Sequence, residues 1–172
     1  YMALSSEEKK KYMQLAFAEA KKAQRQGEVP IGAILIDPQG QIIGKGYNRR
    51  ELDQDASQHA EMIAIRQACK KLGTWRLIDC SLFVTLEPCP MCAGAIINSR
   101  IANLYYGALD PKAGAAGSVV DLFAVKKFNH HVHVIRGIYR DESGKMLKTF
   151  FQSIRKKQKL AKQMRQNSGK NE

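Results

Sequence analysis

No stretch of the 172 residues is long and apolar enough to cross a membrane, and residues 5–11, Ser-Ser-Glu-Glu-Lys-Lys-Lys, have no apolar core of the kind that makes a secretory leader. A membrane partner is therefore not expected. Acids are scarce as well: 16 Asp and Glu face 28 Lys and Arg, a formal net charge of +12. Such a surplus attracts a polyanion well before contact, and nucleic acid is the natural candidate, although a basic surface also serves plain solubility. With 44% hydrophobic residues and no internal repeat or linker, positions 1–172 read as a single domain with a proper core. Tyr1, ahead of Met2, is taken as extraneous and carries no argument.

What the chain does have is Thr-Leu-Glu-Pro-Cys-Pro-Met-Cys at 85–92, where an apolar strand at 81–85 meets a helix. Pro90 suits the first helical position, which makes Cys89 the N-cap and Cys92 the third helical residue. Unsatisfied N–H groups and the positive end of the helix dipole favour thiolate there, the form that ligates metal or attacks. Taken alone, Cys-x-x-Cys fits half a zinc site and a thioredoxin-like redox pair about equally well.

His59-Ala60-Glu61, thirty positions earlier, bears on that choice. In a helix interior the side chains of His59 and Glu61 would diverge by about 200°, but at a first turn both project past the helix end into one site. His59, Cys89 and Cys92 would give zinc three protein ligands and leave a fourth position for water, the arrangement of a catalytic site. Glu61 is then the base beside that water. The redox reading leaves His59 and Glu61 unexplained. With two of the four cysteines in a metal motif there is no disulfide framework, and the cytoplasm is the expected compartment.

His59-Ala60-Glu61 followed by Pro88-Cys89-Pro90-Met91-Cys92 resembles the zinc-dependent nucleoside deaminases, and the wider match is to the bacterial tRNA-specific adenosine deaminases. The likeness takes in residues 28–33, 46–49, 86–89, 107–118, 129–130 and 150–151, and is least specific after Arg155. It implies a three-layer α/β/α, cytidine-deaminase-like fold with a mixed sheet of about five strands, one Zn²⁺ per subunit, a homodimer that shapes the pocket across its interface, and a tRNA anticodon stem-loop as partner. It further implies Glu61 as the catalytic proton carrier, acting at the wobble adenosine, and substrate contacts from Asn48, Ala60, Asp110, Lys112, Asn129, His130, Phe150 and Phe151. Five of these have a plainer reading: Asn48 as a turn residue, Asp110 and Lys112 as a loop acid and base, Phe150 and Phe151 as core. The rival functions are deamination of free cytidine, cytosine or guanine, thiol–disulfide exchange at Cys89 and Cys92, and a non-catalytic RNA-binding zinc module.

In chain order, the periodicity predicts a helix over 5–26 with Ser5 and Glu8 as a capping box and Tyr12, Leu15, Ala16, Ala20 and Ala23 as its apolar stripe. A hairpin over 31–36 and 41–47 follows, then a polar loop at 49–58, and a helix over 59–72 with Met62, Ile63, Ile65 and Ala68 toward the core. Cys69 and Cys80 have no partner at metal spacing and read as small buried hydrophobes. A strand at 101–106, a loop at 107–118, a short helix within 119–125, a strand at 132–138 with His131 and His133 as solvent or strand residues, and a terminal helix from 141 complete the chain. Met146, Leu147, Phe150, Phe151 and Ile154 form the apolar face of that last helix, and residues 156–172 are its basic end. The alternation of strands and helices implies right-handed crossovers, parallel central strands and helices on both faces of the sheet.

Overall fold

A computed structural model describes residues 3–170; Tyr1 and Glu172 lie outside the described residues. Helix α1 (Ser6–Arg25) starts at Ser5, whose hydroxyl accepts the Glu8 N–H at 3.1 Å while the Glu8 carboxylate accepts the Ser5 N–H at 3.0 Å. That is the reciprocal cap expected from Ser-x-x-Glu. Its buried face adds Met13 and Glu19 to the expected stripe, and Leu15 is only half-buried.

Strands β1 (Gly32–Ile36) and β2 (Ile42–Tyr47) form the antiparallel hairpin, and β3 (Ser81–Leu86) pairs antiparallel with the other edge of β1. Then β4 (Asn103–Ala108) and β5 (His133–Ile135) add in parallel, giving the order β2-β1-β3-β4-β5. All strands except β1 therefore run the same way, and the carboxyl ends of β2, β3 and β4 lie along one edge of the sheet. Helices α3 (Ala60–Leu72) and α4 (Pro90–Asn98) cover one face, over Ala33, Leu35, Leu82, Val84, Leu104 and Tyr106. Helix α1 covers the other, over Ile34, Ile36, Phe83 and Tyr105, with the Phe83 and Tyr105 rings stacked at 4.4 Å. The alternation of these positions along each strand is the period-two pattern that feeds two cores at once.

Several expected boundaries move, each for a physical reason. Strand β4 lies two residues later than 101–106, because its parallel pairing with β3 continues to Leu86 opposite Ala108, so the following loop begins at Leu109. The 49–58 loop contains one helical turn, α2 (Arg50–Asp53), closed by Gln54 in the left-handed region. Of 119–125 only a 3-10 turn at Leu122–Ala124 forms, with the Asp121 carboxylate accepting the Phe123 N–H. Strand β5 is shorter than 132–138, with Gly137 at φ +79° beyond its end. His131 and His133 are exposed, Cys80 is buried, and Cys69 is partly so.

The core side of α3 also differs from the periodic expectation. Ala60, Ala64, Ile65 and Ala68 are buried, while Met62 and Ile63 are half-exposed. The cause lies in the strand beneath. A Cβ at Gly44 would stand 2.2 Å from the Ala64 carbonyl oxygen, and one at Gly46 would stand 2.2 Å from that of Ala60. Backbone meets backbone there, so only small residues face inward, and the start of α3 is pressed against the end of β2.

Helix α5 (Arg140–Gly169) begins on the α1 face, where Tyr139 packs edge-on to Phe17 and the Ser143 hydroxyl donates to the Thr85 carbonyl. It is 30 residues long, and every described residue after Ile154 is exposed.

Candidate active site

The carboxyl edge of the sheet carries a cavity of about 650 Å³. Its wall draws on the end of β2 through Asn48, the loop after β3 through Glu87 and Cys89, and the loop after β4 through Leu109, Asp110 and Lys112. His59, Ala60 and Glu61 at the start of α3 and Lys148, Phe151 and Arg155 on α5 complete it. Open α/β sheets place their sites at this edge because helix N-termini and loops converge there.

His59 is the N-cap of α3 and Cys89 the N-cap of α4, with Pro90 directly inside; neither side chain caps its own helix, so both are free to point into the site. His59 Nδ1 lies 3.6 Å from Cys89 Sγ and 3.5 Å from Cys92 Sγ, and the three donor atoms lie within 4.8 Å of one another. A tetrahedral ion with N and S bonds of about 2.05 and 2.3 Å holds its N and S donors about 3.6 Å apart. The three donors thus have the chemistry and spacing to hold a metal ion, and His59 and Cys89 line the cavity.

The charges agree with that fit. Cys89 is pulled down to about 4, chiefly by the Cys92 thiol donating to it and further by His59. His59 is raised, first by its bond to Cys89 and against the cost of burial. Cys92 is raised strongly by holding the proton it shares with Cys89 and by burial. Cys92 can therefore ligate only by giving up that proton, so metal uptake releases acid and weakens as pH falls.

Glu61, the second residue of α3, is 4% exposed yet lines the cavity. Burial raises its carboxyl above the usual range, against the opposing pull of its own backbone N–H, the His59 charge and the Cys92 thiol. A carboxyl poised upward beside these donors is suited to passing a proton in both directions. Asn48 is buried and oriented: its Oδ1 accepts the Arg50 N–H at 3.2 Å and its Nδ2 donates to the Val29 carbonyl at 3.4 Å. Ala60, the first residue of α3, lines the same cavity.

Phe150 turns into the interior at 8% exposure, while Phe151, in edge-to-face contact with it at 5.5 Å, stays 44% exposed at the cavity wall. Asp110 accepts the N–H groups of Lys112 and Ala113 and so shapes the rim. Asn129 and His130 are not brought to this cavity within one chain. His130 Nε2 sits 2.6 Å from the Ile101 carbonyl, before the start of β4 and thus at the opposite edge of the sheet, and Asn129 is exposed.

Two features escaped the sequence reading. One is Arg50, Lys148 and Arg155 as cavity residues, since a cation on a polar loop or helix has no local mark of where it points. The other is Glu87. Its buried carboxylate accepts N–H groups from Asp110 at 3.0 Å, Ala116 at 3.0 Å and Ser118 at 3.1 Å, and the Ser118 hydroxyl as well. Gly114 packs on it so closely that a Cβ would lie 2.3 Å from the carboxylate. Burial pushes Glu87 up, but the four donors outweigh it and hold it low. Its contribution to stability is thus present above the ordinary carboxylate value of about 4.3 and lost as pH falls through the depressed folded value. Glu87→Gln turns an amide N–H toward N–H donors and is expected to lower stability by about 3 kcal/mol, read by urea titration, with KM raised as the rim loosens.

A His–Cys–Cys group able to hold a metal ion and a buried carboxyl thus stand together at the carboxyl edge of a mixed sheet. Residues 7–155 match the family described as MafB19-like deaminase, and the chain belongs to that family. It is 50% identical over 151 residues to the tRNA-specific adenosine deaminase of Bacillus subtilis, covering 88% of this chain and 93% of that one. A solved structure from a study of A-to-I editing by tRNA:A34 deaminases at the wobble position of transfer RNA superposes with a TM-score of 0.76 at 45% identity, over 79% of this chain and 98% of that chain. Guanine deaminase from Bacillus subtilis superposes with a TM-score of 0.56 at 37% identity, over 62% of this chain and 66% of that chain. The family match stops at residue 155, where α5 leaves the body of the protein.

Proposed function

We propose that the protein converts the wobble adenosine of a tRNA to inosine, water replacing the C6 amine, which leaves as ammonia. The single observation that carries this reading is the triad of His59, Cys89 and Cys92 at zinc-ligand separations with Glu61 beside it, in a chain half identical to a tRNA-specific adenosine deaminase. Bound zinc, one per subunit, would supply the Lewis acidity that lets water attack at neutral pH.

The chain's own residues do the rest. Glu61 accepts a first proton from the attacking water and delivers it to the ring nitrogen next to C6; it then takes the second proton from the added hydroxyl as the C6 carbonyl forms and passes it to the amine, which leaves as ammonia. Asn48 offers an amide donor and acceptor to the base edge, and Ala60 offers its backbone N–H. Val29, Ile31, Leu86 and Leu109 give the base an apolar enclosure, and Phe151 offers a ring for a flanking base. Phe150 acts behind it, as the packing that sets its angle. Asp110 and Lys112 contact the RNA from the rim. A base stacked inside a helix cannot enter such a pocket, whereas an anticodon loop presents it splayed out.

We further read residues 1–172 as one domain that works as a homodimer in the cytoplasm, with Asn129 and His130, remote from their own cavity, serving the partner's site. Among the described residues no helix is long and apolar enough to cross a membrane. Ammonia release from zinc-loaded protein given tRNA, free adenosine, cytidine, cytosine and guanine tests the proposal, and release from tRNA alone is the expected result. Thiol–disulfide exchange gives His59 and Glu61 nothing to do, and an RNA-binding module has no use for Glu61.

A further inference from the structure

Beyond residue 155 helix α5 runs on to Gly169 exposed along its whole length, with no described residue packed against it, and it carries no acid from Ser143 to Lys170. The segment is rich in Lys, Gln, Arg, Leu, Ala and Met, strong helix formers that propagate a helix already nucleated by packing. Among the described residues the ion pairs join Lys22 to Glu19, Arg49 to Asp53 and Arg136 to Asp121, so none neutralises a cation of α5.

The cations are not spread evenly around the helix. Lys148, Phe151, Arg155, Lys159 and Lys162 are spaced 3, 4, 4 and 3 residues apart, and at 100° per residue they fall within about 80° of one another. The first three line the cavity. Lys159 and Lys162 therefore continue the cavity wall outward along the same face, reaching about 10 Å beyond Arg155, while Lys156 and Lys157 turn away by about 100° and 200°.

We propose that this stripe is a backbone-tracking surface for the paired stem that carries the edited loop, so that phosphodiester oxygens of the stem lie along Arg155, Lys159 and Lys162 while the target base occupies the cavity. The proposal rests on the tRNA reading above. A loop of a few nucleotides is consumed in delivering its base and crossing the rim, so what lies a further 10 Å out is the duplex. Lysines on flexible stems meet phosphate as point charges and read no sequence. The stripe thus contributes affinity and alignment and leaves the choice of base to the cavity.

The test compares Lys159→Gln/Lys162→Gln with Lys156→Gln/Lys157→Gln, changes that keep helix propensity, with helicity checked by circular dichroism. Substrates are an anticodon stem-loop and a short single strand of the loop alone, assayed across a range of salt. For the stripe pair on the stem-loop, KM is expected to rise several-fold with kcat unmoved, and the slope of log affinity against log salt to fall by about 1 per lysine. The loop-only strand is expected to show little change, and the off-stripe pair a markedly smaller one. Equal effects from both pairs, an equal effect on the loop-only strand, or an unchanged salt slope would each overturn the proposal. Failure of the unaltered protein to deaminate the stem-loop would instead overturn the tRNA reading, so the two failures are distinguishable.

Discussion

Glu61→Gln is expected to lower turnover about a thousandfold or more while the protein keeps one zinc per chain. The change preserves size, burial and one hydrogen-bonding oxygen but removes the group that takes and returns a proton. Positioned acid–base groups contribute about 10² to 10⁴ in rate, and this one would serve both the attack and the departure of ammonia. Its buried position within the first turn of α3 leaves no second carboxylate among the cavity residues close enough to substitute: Glu87 is tied to the 110–118 loop by four donors, and Asp110 is tied to the rim. Metal analysis alongside single-turnover kinetics checks it. A variant that retained zinc and near-normal turnover would remove Glu61 from the chemistry.

His59→Ala is expected to cost both metal and activity. The imidazole is the nitrogen donor of the triad and bridges the two helix starts, with separations of 3.6 and 3.5 Å to the thiols. Without it two sulfur donors remain, too few to hold zinc, and Cys92 keeps the proton it shares with Cys89. Zinc content is expected to fall from one per chain to near zero, with activity lost in proportion and no recovery on adding zinc at micromolar levels. A thermal transition lowered relative to the zinc-loaded parent is also expected, since a metal bound only by the folded state stabilises it. In the unaltered protein, apparent zinc affinity is expected to weaken as pH drops, because Cys92 must lose its proton to bind.

The chemical centre was legible in the sequence because its residues sit at places with local marks. Cys89 precedes a proline that can only open a helix, and His59 precedes an apolar periodic run, so both were placed at helix starts before any tertiary information. The strand and helix alternation likewise gave five strands with helices on both faces. What resisted reading depends on contacts distant in sequence. Met62 and Ile63 looked like core by period, but the approach of α3 to Gly44 and Gly46 hands that place to alanines. Glu87 carries no local mark of the 110–118 loop that wraps around its carboxylate. Asn129 and His130 carry no local mark that would place them away from the cavity, and the two phenylalanines differ in burial only once α5 docks.

The most direct measurement gives zinc-loaded protein total bacterial tRNA and maps inosine by sequencing, with free adenosine, cytidine and guanine assayed in parallel for ammonia. Inosine confined to the first anticodon position, absent with Glu61→Gln, is the expected result. Ammonia released only from the free bases or nucleosides, with the tRNA unchanged, would contradict it.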